Sequence, residues 1–421
     1  MTSLSTNVEL QGLTEEKSLK SKLRRSQRKQ KFKAICLVAP LFLFVLGVFV
    51  TPICIMLFKS IDNPEVHKNW PETTAILSDW KGTELPPASF YLALSKDLRN
   101  SSENKTLSAA AKRINFERSG MRSVITRTAR NLNKTPLESA EKEAGKLLES
   151  HKRWGELATW QAIKRSSSPY TSLYLLNAID LTLDNDGSIA KVSEDQAIYL
   201  NIFGRTLWIS LVVTLSCLVI GYPLAYLLAT AKASLANMLM IGVLLPFWTS
   251  LLVRTSAWVV LLQKNGLIND MLISMKLIDE PLVLLFNRPG VYLALIHLLL
   301  PFMILSLYSV MKSISPAYMR AAISLGARPS LAFVKVYMPQ TLPGVAAGGL
   351  LCFILSIGYY ITPALIGSPQ DQMISYFIAY YTNQVINWGM AAALGVVLLV
   401  CCALLFAIYN RLANKHDLKM G

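Results

Sequence analysis

Six long apolar runs constrain this chain more than any other feature of its sequence. Each run contains 21 to 28 residues with almost no charged side chain, and a helix needs about 20 residues to cross the hydrocarbon core of a bilayer. The runs lack the alternation of a barrel strand, so we predict an all-α polytopic membrane protein. The predicted transmembrane helices are residues 34–58, 206–230, 235–262, 290–311, 344–366 and 389–409.

The composition agrees with this class. Hydrophobic residues make up 52% of the 421 residues and charged residues only 16%, whereas soluble domains are about a quarter charged. The net charge of +16 is also typical of nucleic-acid-binding proteins. However, nine Lys and Arg residues lie in residues 1–33, directly before the first apolar run. We interpret this segment as a cytoplasmic anchor beside anionic membrane lipid, and we expect no nucleic-acid partner.

Basic residues in the short loops predict the orientation of the chain. With a cytoplasmic N-terminus, the inner segments contain 17 Lys and Arg residues, and the outer short loops, 263–289 and 367–388, contain three. Positive charge accumulates on the cytoplasmic side of membrane proteins, so both termini are expected there. The chain then has a cytoplasmic tail at residues 412–421, after a membrane core of residues 206–411.

A long polar segment, residues 59–205, separates the first two apolar runs. It carries 21 basic and 18 acidic residues, and long domains cross the membrane regardless of their charge. Ala, Leu, Glu, Lys and Arg are frequent in its middle, which favours helices. We therefore expect a large, mainly helical extracytoplasmic insertion.

Several kinds of chemistry have no sequence signal. The chain contains no G-x-x-x-x-G-K-[ST] motif for binding ATP, and the six apolar runs contain no Asp or Glu to carry protons or sodium. No nucleophile–base pair or metal-site spacing is visible, so we predict no catalytic residue, no metal site and no cofactor. The pattern indicates a conduit whose energy comes from another protein.

The loop at residues 312–343 has the pattern of two short helices joined by a bend. Pro316 suits a first helical turn, Gly326 can end that helix, and Pro329 can begin the next. Small residues lie around the bend, at Ala321, Ala322 and Ala327. We predict a helix–turn–helix on the cytoplasmic face, open to close approach by a partner.

This loop resembles the "EAA" loop of ABC importer permeases, which docks on the separate ATPase subunits of those transporters. The family pattern is Glu-Ala-Ala, then Gly four residues after the second Ala, and a Leu-Pro ending. This chain departs from it at one position, where Arg replaces Glu and puts the usual charge contact in doubt. The residues that the resemblance assigns to coupling are Arg320, Ala321, Ala322, Gly326, Ala327, Leu342 and Pro343.

A second resemblance points to the spermidine/putrescine-type permeases. It is carried by residues 244–258, 266–269, 221–226 and 361–367, and it covers roughly residues 30–58 and 198–411. It implies import of a polyamine with a solute-binding protein outside, ATPase subunits inside, and a second permease subunit, identical or related. Another organic solute or an anion is an alternative. A receptor or assembly factor acting through the insertion is a second alternative, which has no need of a coupling loop.

Candidates for the translocation pathway are the intramembrane charge and aromatic rings. Arg254 is the charged residue of the predicted helices, and such charges face a bundle interior or water. It alternatively snorkels or pairs with backbone carbonyls. Aromatic rings offer cation–π surfaces to an amine, or else pack in the core or the interfacial belt. These aromatic candidates are Trp248, Trp258, Tyr292, Tyr359 and Tyr360.

Overall fold

The computed structural model describes residue 27 and residues 29–184 and 187–417, and the chain is mostly helical. Most of the predicted basic segment, residues 1–33, and residues 418–421 of the predicted tail lie outside this description. Helix α1, Lys29–Phe58, has a mean hydropathy of 2.8 and includes a π-helical stretch at Leu46–Val50. It belongs to a different unit from the rest of the described chain.

The second unit begins with a helical domain, residues 59–198, which we call the polar domain. Its apolar side chains point inward, and Trp70, Trp154 and Trp160 are fully buried. A small antiparallel hairpin pairs β1, Leu181–Leu183, with β2, Ile189–Lys191. The helices are α2 Pro64–Asn69, α3 Pro71–Asp79, α4 Ala88–Glu103, α5 Leu107–Glu117, α6 Met121–Leu132, α7 Ala140–Ser150, α8 Leu157–Ser167 and α9 Leu173–Asn177.

The membrane core follows the polar domain. Its centre is a bundle of α10, α14 and α17, whose buried side chains include Val213, Leu299 and Cys352. Gly344 and Gly348 bring α17 close to α14, since an added Cβ would lie 3.0 Å from Val310 and 2.9 Å from Met303 respectively. The helices are α10 Tyr199–Thr230, α11 Ala233–Leu244, α12 Leu251–Leu261, α13 Leu267–Ser274, α14 Arg288–Ser313, α15 Pro316–Ser324, α16 Pro329–Gln340, α17 Leu342–Gly358, α18 Ile361–Ile366, α19 Ile374–Asn383 and α20 Trp388–Asp417.

Four described helices, α1, α10, α14 and the part of α20 from Trp388 to Tyr409, are long and apolar enough to cross a membrane. The number rises to six if each of two bent pairs forms one span. One pair joins Ala233–Trp248 to α12 through a bend of 100°, and the other joins α16 to α17 through a bend of 59°.

Two predicted helices are therefore wrong as continuous elements. The run 235–262 is interrupted at Thr249, and Ser250 starts α12 by accepting a hydrogen bond from the backbone N–H of Val253. The run 344–366 is interrupted at Tyr359, four residues before Pro363. A proline in a helix interior lacks its N–H and clashes with the carbonyl four residues earlier, whereas it is tolerated in the first turn of α18.

The predicted start of the second span is also displaced. Helix α10 begins at Tyr199, seven residues before the predicted position 206. The carboxylate of Asp180 accepts hydrogen bonds from the first N–H groups of this helix, those of Tyr199 and Leu200. Because these N–H groups have no partner within a helix, a carboxylate there stabilises the extra turns.

Candidate coupling loop and translocation pathway

The predicted helix–turn–helix is present after α14. Ser315 caps α15 by accepting a hydrogen bond from the N–H of Ala317, and Pro316 is its first residue. At the other end, the N–H of Gly326 donates to the carbonyl of Ile323, and the N–H of Ala327 donates to that of Ala322. This bond pair and the φ of +90° at Gly326 form a Schellman motif, in which glycine avoids the strain of a side chain.

Aromatic rings fix the loop to the last turns of α10. The ring of Tyr226 lies 5.3 Å from the rings of both Phe333 and Tyr337 in α16. The hydroxyls of Tyr222 and Thr341 lie 3.0 Å apart. Sequence analysis did not assign these tyrosines to the loop, although their i, i+4 spacing places both on one face of α10. The loop is thus a rigid extension of the membrane core.

The other side of the loop is uncovered. Leu325 is 89% exposed, and Tyr318 and Val334 are each more than half exposed. No other atom of the described chain lies within 4 Å of a Cβ built on Gly326. Exposed apolar side chains grouped in this way mark a protein interface. Of the residues that the resemblance assigns to coupling, Arg320, Ala321, Gly326, Leu342 and Pro343 are exposed, and Ala322 and Ala327 are half-buried.

Three of the six pathway candidates come together between α12, α14 and the break before α18. The indole N–H of Trp258 donates to Nδ1 of His297 over 3.1 Å. The guanidinium of Arg254 is close enough to act electrostatically on both His297 and Tyr359. Its Nε is buried without a hydrogen-bond partner. Arg254 as a whole is half-buried, and an ionisable side chain within apolar helices is the kind of group that marks a solute or ion pathway.

Within the described residues, the other three candidates have no hydrogen bond to this cluster. Trp248 ends the helical segment before the 100° bend and is 77% exposed, and Tyr360 is 39% exposed. Tyr292 packs against the core of the α10–α14–α17 bundle. Sequence reasoning selected all six by residue type, which cannot separate a ring in the core from a ring at a helix break.

The polar domain contacts the membrane core at the far end of α10 from the loop. The Lys112 ammonium donates to the carbonyls of Val385 and Ile386, in the turn before α20. Asp180 of the polar domain accepts hydrogen bonds from the N–H groups of Tyr199 and Leu200, the first residues of α10. Leu200 and Tyr222 are 22 positions apart, or about 33 Å along a helix. The polar domain and the coupling loop therefore occupy opposite ends of the bundle.

A cleft of about 570 Å³ lies between the polar domain and this end of the bundle. The hydroxyls of Tyr199 and Tyr381 are hydrogen-bonded along it. Burial raises the pKa of Tyr174, which also lines it, to about 12. Asp180 and Glu117 line the cleft as well, but their carboxylates already accept hydrogen bonds from other groups of the chain. The cleft is thus lined by aromatic and amide side chains, and neither of these two carboxylates is left without a hydrogen-bond donor.

Asp371 stabilises the same end of the bundle. Burial raises the pKa of its carboxyl, but hydrogen bonds from Ser368 and Arg288 and the charge of Arg288 outweigh this effect, and the pKa lies below its ordinary value. The Arg288 Nε is 2.7 Å from the Asp371 carboxylate, which ties the start of α14 to the loop before α19. This pair was not predicted, because its members are 83 positions apart.

These features together define a class: a multi-pass membrane protein with bent helices and a rigid surface loop for a partner. The family described as "Binding-protein-dependent transport system inner membrane component" matches residues 206–416, which is half of the chain. The chain belongs to this family. It is a non-enzymatic transport subunit, an ABC transporter permease, and the matched residues exclude the polar domain.

Individual relatives are similar over about half of the chain. The spermidine/putrescine transport system permease protein PotB of Salmonella typhimurium (strain SL1344) is 31% identical over 237 residues, 56% of this chain and 81% of that protein. PotB of Haemophilus influenzae (strain ATCC 51907 / DSM 11121 / KW20 / Rd) is 34% identical over 218 residues, 52% of this chain and 76% of that protein. A solved bacterial alginate ABC transporter, in complex with an alginate pentasaccharide-bound periplasmic protein, aligns with a TM-score of 0.44 and 20% identity, covering 52% of this chain and 78% of that one.

Proposed function

We propose that this chain is the permease subunit of an ATP-driven importer that moves a small solute, a polyamine such as putrescine or spermidine, across the bacterial inner membrane. The observation that carries the proposal is the loop from Pro316 to Pro343. It is fixed to α10 by aromatic rings and leaves an apolar, glycine-containing bend uncovered. A separate ATPase docks on this bend and transmits its closing and opening to α10 and α17.

In this proposal the chain has six spans, one formed by α1 and five in the membrane core, with both termini in the cytoplasm. Residues 59–205 then form an extracytoplasmic insertion, and residues 312–343 form the cytoplasmic coupling loop. The 17-to-3 distribution of basic residues in the short loops supports the orientation. The polar domain contacts the first residues of α10 through Asp180, and the loop contacts its last turns through Tyr222, which supports their placement on opposite sides of the membrane.

The complete transporter contains a second permease subunit, identical or related, two ATPase subunits and a soluble solute-binding protein. Membrane lipid surrounds the apolar helices. The pathway follows the helix breaks beside Arg254, Trp258 and Tyr359, where aromatic faces can attract a desolvated amine. The names of the PotB relatives support a polyamine as the solute.

An anionic solute is the second candidate. The observation in its favour is Arg254, whose Nε is buried and unpaired beside His297. A guanidinium in a site of low polarity binds carboxylate or oxyanion groups strongly, whereas it repels an ammonium group. The charge of the solute therefore decides between the two candidates.

Transport by the reconstituted complex tests both. Proteoliposomes containing the permease, its ATPase and its binding protein should accumulate radiolabelled spermidine only when ATP is supplied. Arg254→Met should change this uptake by less than about fivefold, whereas it should abolish uptake of an anion that uses the guanidinium. ATP-dependent uptake of an anion such as molybdate, together with no uptake of polyamines, would reject the polyamine and leave the importer in place.

A further inference from the structure

The α5–α6 hairpin of the polar domain has an unbalanced charge. Between Glu103 and Glu138 the sequence contains eight Lys and Arg residues and one acidic residue, Glu117. The remainder of residues 59–205 contains 13 basic residues and 17 acidic ones, by subtraction from totals of 21 and 18. Glu117 is itself buried in ion pairs with Arg113 and Arg165. The positive charge of the polar domain is thus concentrated on one hairpin.

Three arginines of α6 form one exposed face. Arg122, Arg127 and Arg130 are all exposed, with Ser123 and Thr126 between them, and we call this set the arginine face. Within the described residues, none of the three guanidinium groups has a hydrogen bond or ion pair. Every other arginine of the polar domain donates to a partner in the chain: Arg99, Arg113, Arg118, Arg153 and Arg165.

The arginine face borders a groove of about 560 Å³. The Asn115 side chain holds its floor by accepting hydrogen bonds from the N–H groups of Gly120 and Arg122. The guanidinium of Arg153 reaches the same end, since its Nη1 would lie 2.8 Å from a Cβ on Gly120. The groove therefore has a fixed floor and guanidinium groups that are free to bind a carboxylate in two-point geometry.

The exposed surface of α6 fits an acidic protein better than a membrane. Its apolar residues, including Met121, Val124 and Ile125, are buried in the polar domain, and its exposed positions are Arg, Ser and Asn. A helix that lies in a lipid interface presents apolar side chains to the acyl region, which α6 does not. Arginine is also the charged residue most enriched at the centres of protein interfaces.

The position of the hairpin identifies the partner. Lys112, on α5, contacts the turn before α20, and its pKa is lowered by burial and by the charge of Arg122. The arginine face therefore begins beside the end of the bundle opposite the coupling loop. We propose that the arginine face is a docking surface for acidic side chains on the soluble binding protein that delivers the solute. This inference rests on the proposed function and names the surface and its chemistry.

Binding kinetics test the proposal. The permease–ATPase complex is placed in nanodiscs of neutral phosphatidylcholine, and the purified binding protein of the same transporter is passed over them. Arg122→Glu/Arg127→Glu/Arg130→Glu should weaken binding at low salt at least tenfold, mainly through a slower association rate. The variant in which the same three arginines are replaced by Lys should bind within about threefold of the affinity of the unchanged chain, because it keeps the positive charge. Raising NaCl from about 50 to about 300 mM should weaken the unchanged complex more than the triple Glu variant.

A matched triple variant distinguishes a specific effect of the arginine face on binding from a general effect of net charge. Lys68, Lys81 and Lys152 are exposed on the same domain, and their replacement by Glu should change binding less than threefold. Equal losses in both triple Glu variants, or no loss in the arginine variant while the unchanged complex binds, would overturn the proposal. An effect seen only in nanodiscs that contain phosphatidylglycerol would assign the face to lipid headgroups instead. Failure of the unchanged complex to bind any solute-binding protein of its own transporter would refute the proposed function itself.

Discussion

The polar domain and the coupling loop use their apolar side chains in opposite ways. In the polar domain, Trp70, Trp154 and Trp160 have no exposed surface, and short helices enclose a core of their own. In the loop, two helices of similar length leave Leu325 89% exposed. Apolar surface removed from water stabilises a fold by about 25 cal/mol per Å². The polar domain obtains that stabilisation within the chain, whereas the exposed side of the loop does not, and in our proposal it obtains it from the ATPase.

Charge shows the same difference. The polar domain buries the Glu117 carboxylate between Arg113 and Arg165, at distances of 3.1 and 3.0 Å. The loop from residue 316 to residue 343 contains basic residues and no Asp or Glu, so its charge can be matched only outside it. A change inside the polar domain should therefore affect folding, and a change in the loop should affect assembly.

The largest effect is expected for Glu117→Gln. This change leaves the buried Arg113 and the partly buried Arg165 facing a neutral amide, and removing one partner of a buried ion pair costs about 3–5 kcal/mol. Limited proteolysis of the full chain should show faster cleavage within residues 59–198, while the ATPase still co-purifies. Glu156→Gln is the matched control, since the Arg118–Glu156 pair is partly exposed and should contribute less than about 1 kcal/mol. Loss of the ATPase in the Glu117 variant would contradict the separation of the two regions.

Gly326→Asp should produce the opposite result. A side chain at φ +90° is strained, and a carboxylate enclosed by a docked partner carries a desolvation cost. A combined loss of about 3 kcal/mol of binding free energy weakens ATPase docking more than a hundredfold. The ATPase should no longer co-purify and solute uptake should stop, while the subunit remains in the membrane and its polar domain resists protease.

Two further variants divide this effect into strain and charge. Gly326→Asn should retain most docking, because Asn adopts positive φ more readily and adds no charge. Gly82→Asp places the same side chain at a similar φ, +84°, in equally open space within the polar domain, and it should leave docking unchanged. Normal co-purification and uptake with Gly326→Asp would show that this loop is not the coupling element.

A smaller effect is expected for Leu325→Ser. Burying a leucine side chain in an interface contributes about 1.5–3 kcal/mol, so its loss should weaken ATPase binding about tenfold or more. Titration of the ATPase onto the permease in detergent measures this change. Leu137→Ser, at a leucine of the polar domain that is 45% exposed, should not alter binding. If both variants bind the ATPase equally well, the exposed apolar side chains of the loop are not buried by the ATPase.

Features with a local cause were predictable from the sequence. The bend at Gly326, the helix starts at Pro316 and Pro329, and the apolar runs follow from side chains within a few positions of each other. The interruption at Tyr359 was also encoded, by Pro363, but the hydrophobicity of residues 344–366 concealed it. The aromatic attachment of the loop and the Arg288–Asp371 pair join residues more than 80 positions apart, and no spacing rule connects them.

The smallest effect concerns the contact between the polar domain and the bundle. Lys112→Met keeps the aliphatic stem but removes two hydrogen bonds to the carbonyls of Val385 and Ile386. A net loss of about 1 kcal/mol is expected, and local opening of the turn should become about fivefold more frequent. Hydrogen exchange in the intact subunit should therefore be faster at residues 385–388 and unchanged in the core around Trp154. Lys68→Met, at an exposed lysine, is the control.

The Lys112 variant tests whether the polar domain folds stably without support from the bundle. Its core is closed around Trp154 and Trp160, and Lys112 lies outside that core, so the contact should position the domain without stabilising its fold. Faster exchange limited to the turn fits a domain that folds independently and is then fixed to the membrane core. Faster exchange throughout α5 and α6 would instead mean that the bundle supports the domain, and the contrast with the coupling loop would then be one of degree.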